Sequence, residues 1–122
     1  MERDTPQRRV IRRVLTQADR PMSPEEIHVS GQRDVRSLGI ATVYRNLRSL
    51  AEAGWLTPVE LPGEATRYEI SGKPHHHHFL CRSCDRAFEV EGCEGILPVQ
   101  LPTGFEVHEH EVVLYGKCDR CA

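Results

Sequence analysis

No apolar run in this sequence approaches the length of a membrane span, and the stretch from Met1 to Pro6 has no signal-peptide core. These absences take membrane and secretory roles out of the expectation and leave a cytoplasmic protein. Nothing in the pattern supplies a pocket for a small organic substrate either. Hydrophobic residues at 39% and charged residues at 28% are the proportions of a soluble globular fold. In a reducing compartment, paired cysteines are better read as metal ligands than as disulfides.

A chain of 122 residues holds one large domain or two small ones. Its net charge of -2 conceals two unlike halves. Residues 1–50 carry ten arginines against six acids, about +4, whereas residues 73–122 carry five bases against eight acids, about -3. Two such halves suggest two jobs, and the basic one is the candidate for a phosphate backbone. Arginines that merely solvate helix faces would give the same imbalance.

The run His75-His76-His77-His78 leads into Cys81-x-x-Cys84, and a second pair, Cys118-x-x-Cys121, follows near the C-terminus. Four thiolates close a tetrahedral zinc site, which staples structure and leaves no open position for chemistry. The histidines are surplus to that site and point to a second metal position. Alternate residues of an extended run point to opposite sides, so His76 and His78 can serve one ion while His75 and His77 face another. For the fifth cysteine, Cys93, a small buried apolar residue is favoured over a reactive thiol or extra ligand.

Taken in order, Thr5-Pro6 caps and opens a helix whose apolar stripe is Val10, Ile11, Val14, Leu15 and Ala18, and Pro21 ends it. Ser23 and Glu26 form a capping box for a second helix towards Gly31, on which His28 is expected at the surface. A third helix, about Ile40 to Ala53, buries Val43, Leu47, Leu50 and Ala51 and stops at Gly54. Thr42, Tyr44, Arg45, Arg48 and Ser49 lie off that stripe, and none is acidic. Strands over Leu56 to Leu61 and Thr66 to Ile70 follow, joined by a turn at Pro62-Gly63-Glu64. Three helices and a hairpin make a winged helix, whose third helix enters the major groove. Pattern alone also allows any small helical core with a hairpin.

After a linker at about residues 71–74, strands are expected over Phe79 to Cys81, Ala87 to Glu91 and Glu106 to Tyr115, with a tight turn at Cys84-Asp85-Arg86. Cys93 to Leu97 has room for one or two helical turns before Pro98 and Pro102. The expected fold class is α+β: a winged helix-turn-helix domain over residues 1–71, then a small α/β, zinc-stapled domain over residues 72–122. A sheet this small buries little core, so zinc and dimerisation are both fitting supports.

Three motifs carry a family resemblance across nearly the whole chain. They are Gly39-Ile40-Ala41-Thr42-Val43-Tyr44-Arg45-Asn46-Leu47, the histidine run into Cys81-x-x-Cys84, and Leu114-Tyr115-Gly116-Lys117-Cys118-x-x-Cys121. In this order and spacing they resemble the ferric uptake regulator superfamily of metal-responsive repressors. The resemblance implies a homodimer that binds a palindromic operator in double-stranded DNA when loaded with a divalent metal. It also implies recognition-helix contacts from Tyr44 and Arg45, and Thr42 and Arg48 join them as DNA-binding candidates. Cys81, Cys84, Cys118 and Cys121 match its structural zinc site. Glu69, His76, His78 and Glu89 match its regulatory site, and His75, His77 and His110 an accessory site.

The chain departs from the family pattern at several places. Iron and peroxide sensors usually place a histidine at the start of the second helix, where this chain has Pro21 and Met22. The zinc branch often has a cysteine before the histidine run, where this chain has Ile70 beside Glu69. The remaining nitrogen and oxygen donors suit zinc first, and also ferrous iron or manganese. The accessory site's acidic ligand falls at Ile96 by position, with Glu94 nearby. Two other readings compete. A zinc-ribbon interaction module would bind no DNA, and a small metal-dependent enzyme would need an open metal position beside a base.

Overall fold

The computed structural model describes residues 4–92 and 100–122. The chain divides into two units, Met1–Gly72 and Lys73–Ala122. Cys93, Glu94, Ile96 and the expected helical turns at Cys93 to Leu97 lie outside the described residues.

In the first unit, local chemistry sets the helix ends. Thr5 caps α1 (Pro6–Ala18), its hydroxyl accepting from the Arg8 N–H at 3.1 Å, with Pro6 in the first turn. Ser23 and Glu26 form a reciprocal capping box that opens α2 (Pro24–Gln32). The third helix, α3 (Ile40–Glu52), ends in a Schellman motif: Trp55 N–H donates to Leu50 O and Gly54 N–H to Ala51 O. Gly54 takes a φ of +83° there, a left-handed conformation that costs glycine little.

Val10, Ile11, Val14, Leu15, Ile27, Leu38, Val43, Leu47 and Leu50 interlock as the core of the three helices. Gly31 lets α2 approach the α2–α3 turn, because a Cβ there would sit 2.6 Å from Leu38 Cδ2. The wing is an antiparallel hairpin of β1 (Leu56–Val59) and β2 (Arg67–Ile70), shorter than the expected runs. It is tied to the helices by a bridge between Met22 and Tyr68. This unit is a winged helix-turn-helix.

The second unit is a three-stranded sheet in the order β4-β3-β5. Its centre, β3 (His76–Cys81), starts three residues earlier than expected, so most of the histidine run is strand. β4 (Ala87–Glu91) pairs with it antiparallel, and β5 (Val113–Gly116) pairs parallel. The expected strand from Glu106 is strand only from Val113. Glu106, His108, Glu109, His110 and Glu111 leave that stretch almost no apolar face to bury, and such residues favour strands poorly. The architecture is α+β, with the cysteine cluster in the C-terminal sheet.

Candidate metal centres and nucleic-acid face

The two C-x-x-C pairs sit at the same end of the sheet because β3 and β5 run parallel. Cys81 ends β3 opposite Gly116, and Cys118 lies two residues beyond it. After Cys81 the chain turns through Asp85, whose φ is +62°, and the Asp85 N–H donates to Cys81 O at 2.9 Å. A matching turn carries the second pair, with Cys121 N–H donating to Cys118 O at 3.0 Å. One sulfur of each cysteine lies within 4.8 Å of all the others.

Cys84 Sγ and Cys118 Sγ are 3.8 Å apart, far longer than a disulfide. With Zn–S bonds of about 2.3 Å, the edge of a zinc–sulfur tetrahedron is also about 3.8 Å. Backbone N–H groups favour thiolate at the buried corner: a donor from Cys118 is the main cause that brings Cys81 down to about 6, helped by N–H groups of Cys84 and Ser83. Cys121 is pushed the other way, to about 12, chiefly by its hydrogen bond with Cys118 and then by burial. Without a cation, four thiolates do not coexist here. The donor set fits zinc.

Histidines alternate along β3. His76 and His78 have ring centroids 4.9 Å apart, and His75 and His77 lie 4.6 Å apart. His76 Nδ1–H donates to the Pro74 carbonyl at 2.8 Å, which fixes the tautomer and puts the ring's lone pair on Nε2. Glu89 stands opposite His78 in the ladder, but it is absent from the three-ligand groups among the described residues. Its carboxylate pairs with the Lys73 ammonium, a partner that sequence reading missed. Glu69 belongs to the first unit, where it is buried on β2.

His75, His77 and His110 do come together, each offering a nitrogen within 4.8 Å of the others. His75 Nε2 and His110 Nε2 are 3.1 Å apart. His77 is 2% exposed; its Nδ1 accepts from the Val112 N–H at 3.1 Å, and its Nε2 has no hydrogen-bond partner among the described residues. Burial, then the neighbouring imidazoles, hold His77 below the usual histidine pKa and so keep it neutral. The Val112 bond puts the neutral ring's proton on Nε2. An ion at His77 would therefore have to replace that bond or that proton, and an ion between His75 and His110 would replace the hydrogen bond that joins their Nε2 atoms.

On α3, Tyr44, Arg45 and Arg48 are exposed and Thr42 is half-buried. Arg45 donates to Thr42 Oγ1 at 3.0 Å, and Tyr44 donates to Glu25 on α2 at 2.9 Å. That bond to Glu25 raises the Tyr44 pKa, so the hydroxyl keeps its proton. Three further residues fix the helix from behind. Arg8, buried on α1, donates to Ser49 at 3.0 Å. His28, expected at the surface, is half-buried: it meets the Leu38 carbonyl at 3.0 Å, and Gln32 donates to the same oxygen at 3.1 Å. The second helix expected towards Gly31 carries His28 and stops short of Gln32, and it gives no sign of a carbonyl ten and six residues away.

Comparison with known proteins agrees with this geometry. The model of the ferric uptake regulator family matches residues 2–115. The ferric uptake regulation protein of Campylobacter jejuni is 32% identical over 124 residues, covering 96% of this chain and 78% of that protein. The zinc uptake regulation protein of Mycobacterium tuberculosis is 32% identical over 122 residues, covering 98% and 94%. The Helicobacter pylori ferric uptake regulator, a structure with three functional metal-binding sites, superposes with a TM-score of 0.70 at 25% identity, covering 98% of this chain and 81% of that one. These relatives are regulators and not enzymes. With a winged helix before a sheet that carries clustered cysteines and histidines, the chain belongs to the ferric uptake regulator family of metal-responsive regulators.

Proposed function

We propose that this protein is a metal-dependent transcriptional repressor that binds a palindromic DNA operator as a homodimer, with zinc as the sensed metal. The observation that carries this reading is the alternation along β3, which sets His76 beside His78, with His76 oriented by its Nδ1–H bond to the Pro74 carbonyl. Glu69 lies seven residues before His76, at the end of the unit that bears α3. Glu69, His76, His78 and Glu89 form the regulatory set, and His75, His77 and His110 the accessory one. Cys81, Cys84, Cys118 and Cys121 hold a structural zinc.

A divalent ion bound by the regulatory set would cross-link Glu69, before the linker, to the histidines after it. The protein's own residues do the rest. Thr42, Tyr44, Arg45 and Arg48 present donors to bases and phosphates, and His28, Gln32, Arg8 and Ser49 fix the helix that carries them. Fixing the linker in turn fixes the spacing of two recognition helices in a dimer, which half-sites one helical turn apart require. Metal and operator binding are then reciprocally coupled, by about 1–3 kcal/mol. No helix among the described residues is long and apolar enough to cross a membrane, which accords with a cytoplasmic site of action.

Selection from random duplex DNA, with zinc, manganese and ferrous iron titrated separately, tests the reading. A palindrome enriched under zinc supports it. Enrichment under manganese or iron keeps the repressor and changes the sensed metal. Enrichment without added metal removes the sensor, and no enrichment under any metal removes the repressor.

A further inference from the structure

Lys73 is the first residue of the second unit, and its ammonium pairs with the carboxylate of Glu89 on β4. The two side chains are 19% and 18% exposed, so solvent screens them less than it screens a surface ion pair. Glu89 stands opposite His78 across the β3–β4 ladder. A metal ion at His78 that recruited Glu89 would meet a carboxylate whose charge the Lys73 ammonium already engages. We propose that Lys73 is a tethered competitor for the regulatory ion: it holds Glu89 until a divalent cation displaces it, and so sets the metal concentration at which the protein responds. This inference rests on the regulatory set proposed above and deepens it.

Affinity for a ligand falls by the fraction of time its binding-competent state is unavailable. A carboxylate held by lysine is such an unavailable state. Lysine suits the part, because its ammonium is a point charge on a flexible four-carbon stem and can swing into water without moving the backbone. The competition also biases selectivity. While Lys73 holds Glu89, the donors left for the ion are rich in imidazole, which suits zinc. Freeing Glu89 adds an oxygen donor, which suits manganese more.

The test is chelator-competition titration of Zn2+ and Mn2+ into the full chain, with its four-cysteine zinc retained. Wild type, Lys73→Met, Lys73→Arg, Glu89→Gln, His78→Ala and the double variant Lys73→Met/Glu89→Gln are compared. Lys73→Met is expected to tighten zinc binding about tenfold and manganese binding more, whereas Lys73→Arg tightens neither. In the Glu89→Gln background, Lys73→Met should have no effect, because the contested group is gone. Tightening that persists in that background would reduce Lys73 to general charge repulsion and overturn the inference. No tightening, with His78→Ala still weakening binding, would overturn it and leave the regulatory set standing. Unchanged binding in His78→Ala would overturn the regulatory set itself.

Discussion

Tyr44 on the exposed face of α3 donates its hydroxyl to Glu25 in the first turn of α2, at 2.9 Å. A carboxylate thus stands beside a face otherwise furnished with arginines. It favours the helix N-terminus it sits on, and it repels phosphate. Glu25→Gln keeps an acceptor for Tyr44 and removes the charge. Operator binding should tighten about twofold to fivefold at low salt, and the gain should shrink as salt is raised. Titrations at two ionic strengths check this. Weaker binding in Glu25→Gln would instead assign the carboxylate a contact with DNA, such as a cytosine amino group.

Local chemistry was readable from the sequence. Thr5-Pro6, the Ser23–Glu26 box and Gly54 act within a few residues of themselves, and the helices begin or end where those residues stand. The cysteines as paired metal ligands and the split of the histidine run into His75 with His77 and His76 with His78 were readable as well, since ligand type and alternation are written in the order of residues, whereas His110 joined its group only through the family resemblance. What the sequence hid depends on partners far along the chain. The Lys73–Glu89 pair joins residues 16 apart through a cross-strand register, and His28 meets a carbonyl ten residues on. The start of β3 was hidden for another reason. Three of its residues are histidines, which have no marked strand preference, and the ladder to Val90 and Glu91 draws them into the sheet.

The Leu38 carbonyl, just before α3, is shared by His28 and Gln32. Either side chain alone still satisfies that oxygen. Each single alanine variant should therefore cost about 0.5–1.5 kcal/mol, the ordinary net value of a hydrogen bond. The double variant should cost more than the sum, because a poorly solvated carbonyl is then left without a side-chain donor. Urea denaturation of the four proteins closes the cycle. Strict additivity would mean that losing one donor does not raise the cost of losing the other, and the shared oxygen would then couple nothing.

Loss of the four-cysteine site should unfold one unit and spare the other. The sheet contributes few buried side chains beyond Leu80, Cys81, Ala87 and His77, whereas the helical unit has its own core. Structural zinc in small sites is worth about 10–16 kcal/mol of apparent binding energy, more than so small a sheet can replace. Cys118→Ser should release zinc and remove the ordered signal of Tyr115, which lies beneath the Arg82 guanidinium at 4.5 Å. Trp55, the sole tryptophan, lies 4.9 Å from Arg12 in the first unit, so its emission should persist. Simultaneous loss of both signals would show that the helical unit depends on the zinc site for its stability.

Cobalt substitution tests the three proposed metal centres, the thiolate one by the chemistry of its donors and the other two by variants. Thiolate ligands give cobalt an intense sulfur-to-metal charge-transfer band, and imidazole and carboxylate ligands do not. Cys118→Ser should abolish that band. His78→Ala should leave it intact and remove one equivalent of weakly absorbing cobalt. His110→Ala should do the same for a different equivalent, because His110 clusters with His75 and His77 while His76 and His78 pair with each other. The His78→Ala and His110→Ala losses should then add in the double variant, which is what two independent centres require. Operator binding distinguishes them further: His78→Ala should abolish the response to metal, and His110→Ala should leave most of it. A single equivalent lost by both variants together would mean that the histidines of β3 share one ion, and the two-sided reading of the strand would fail.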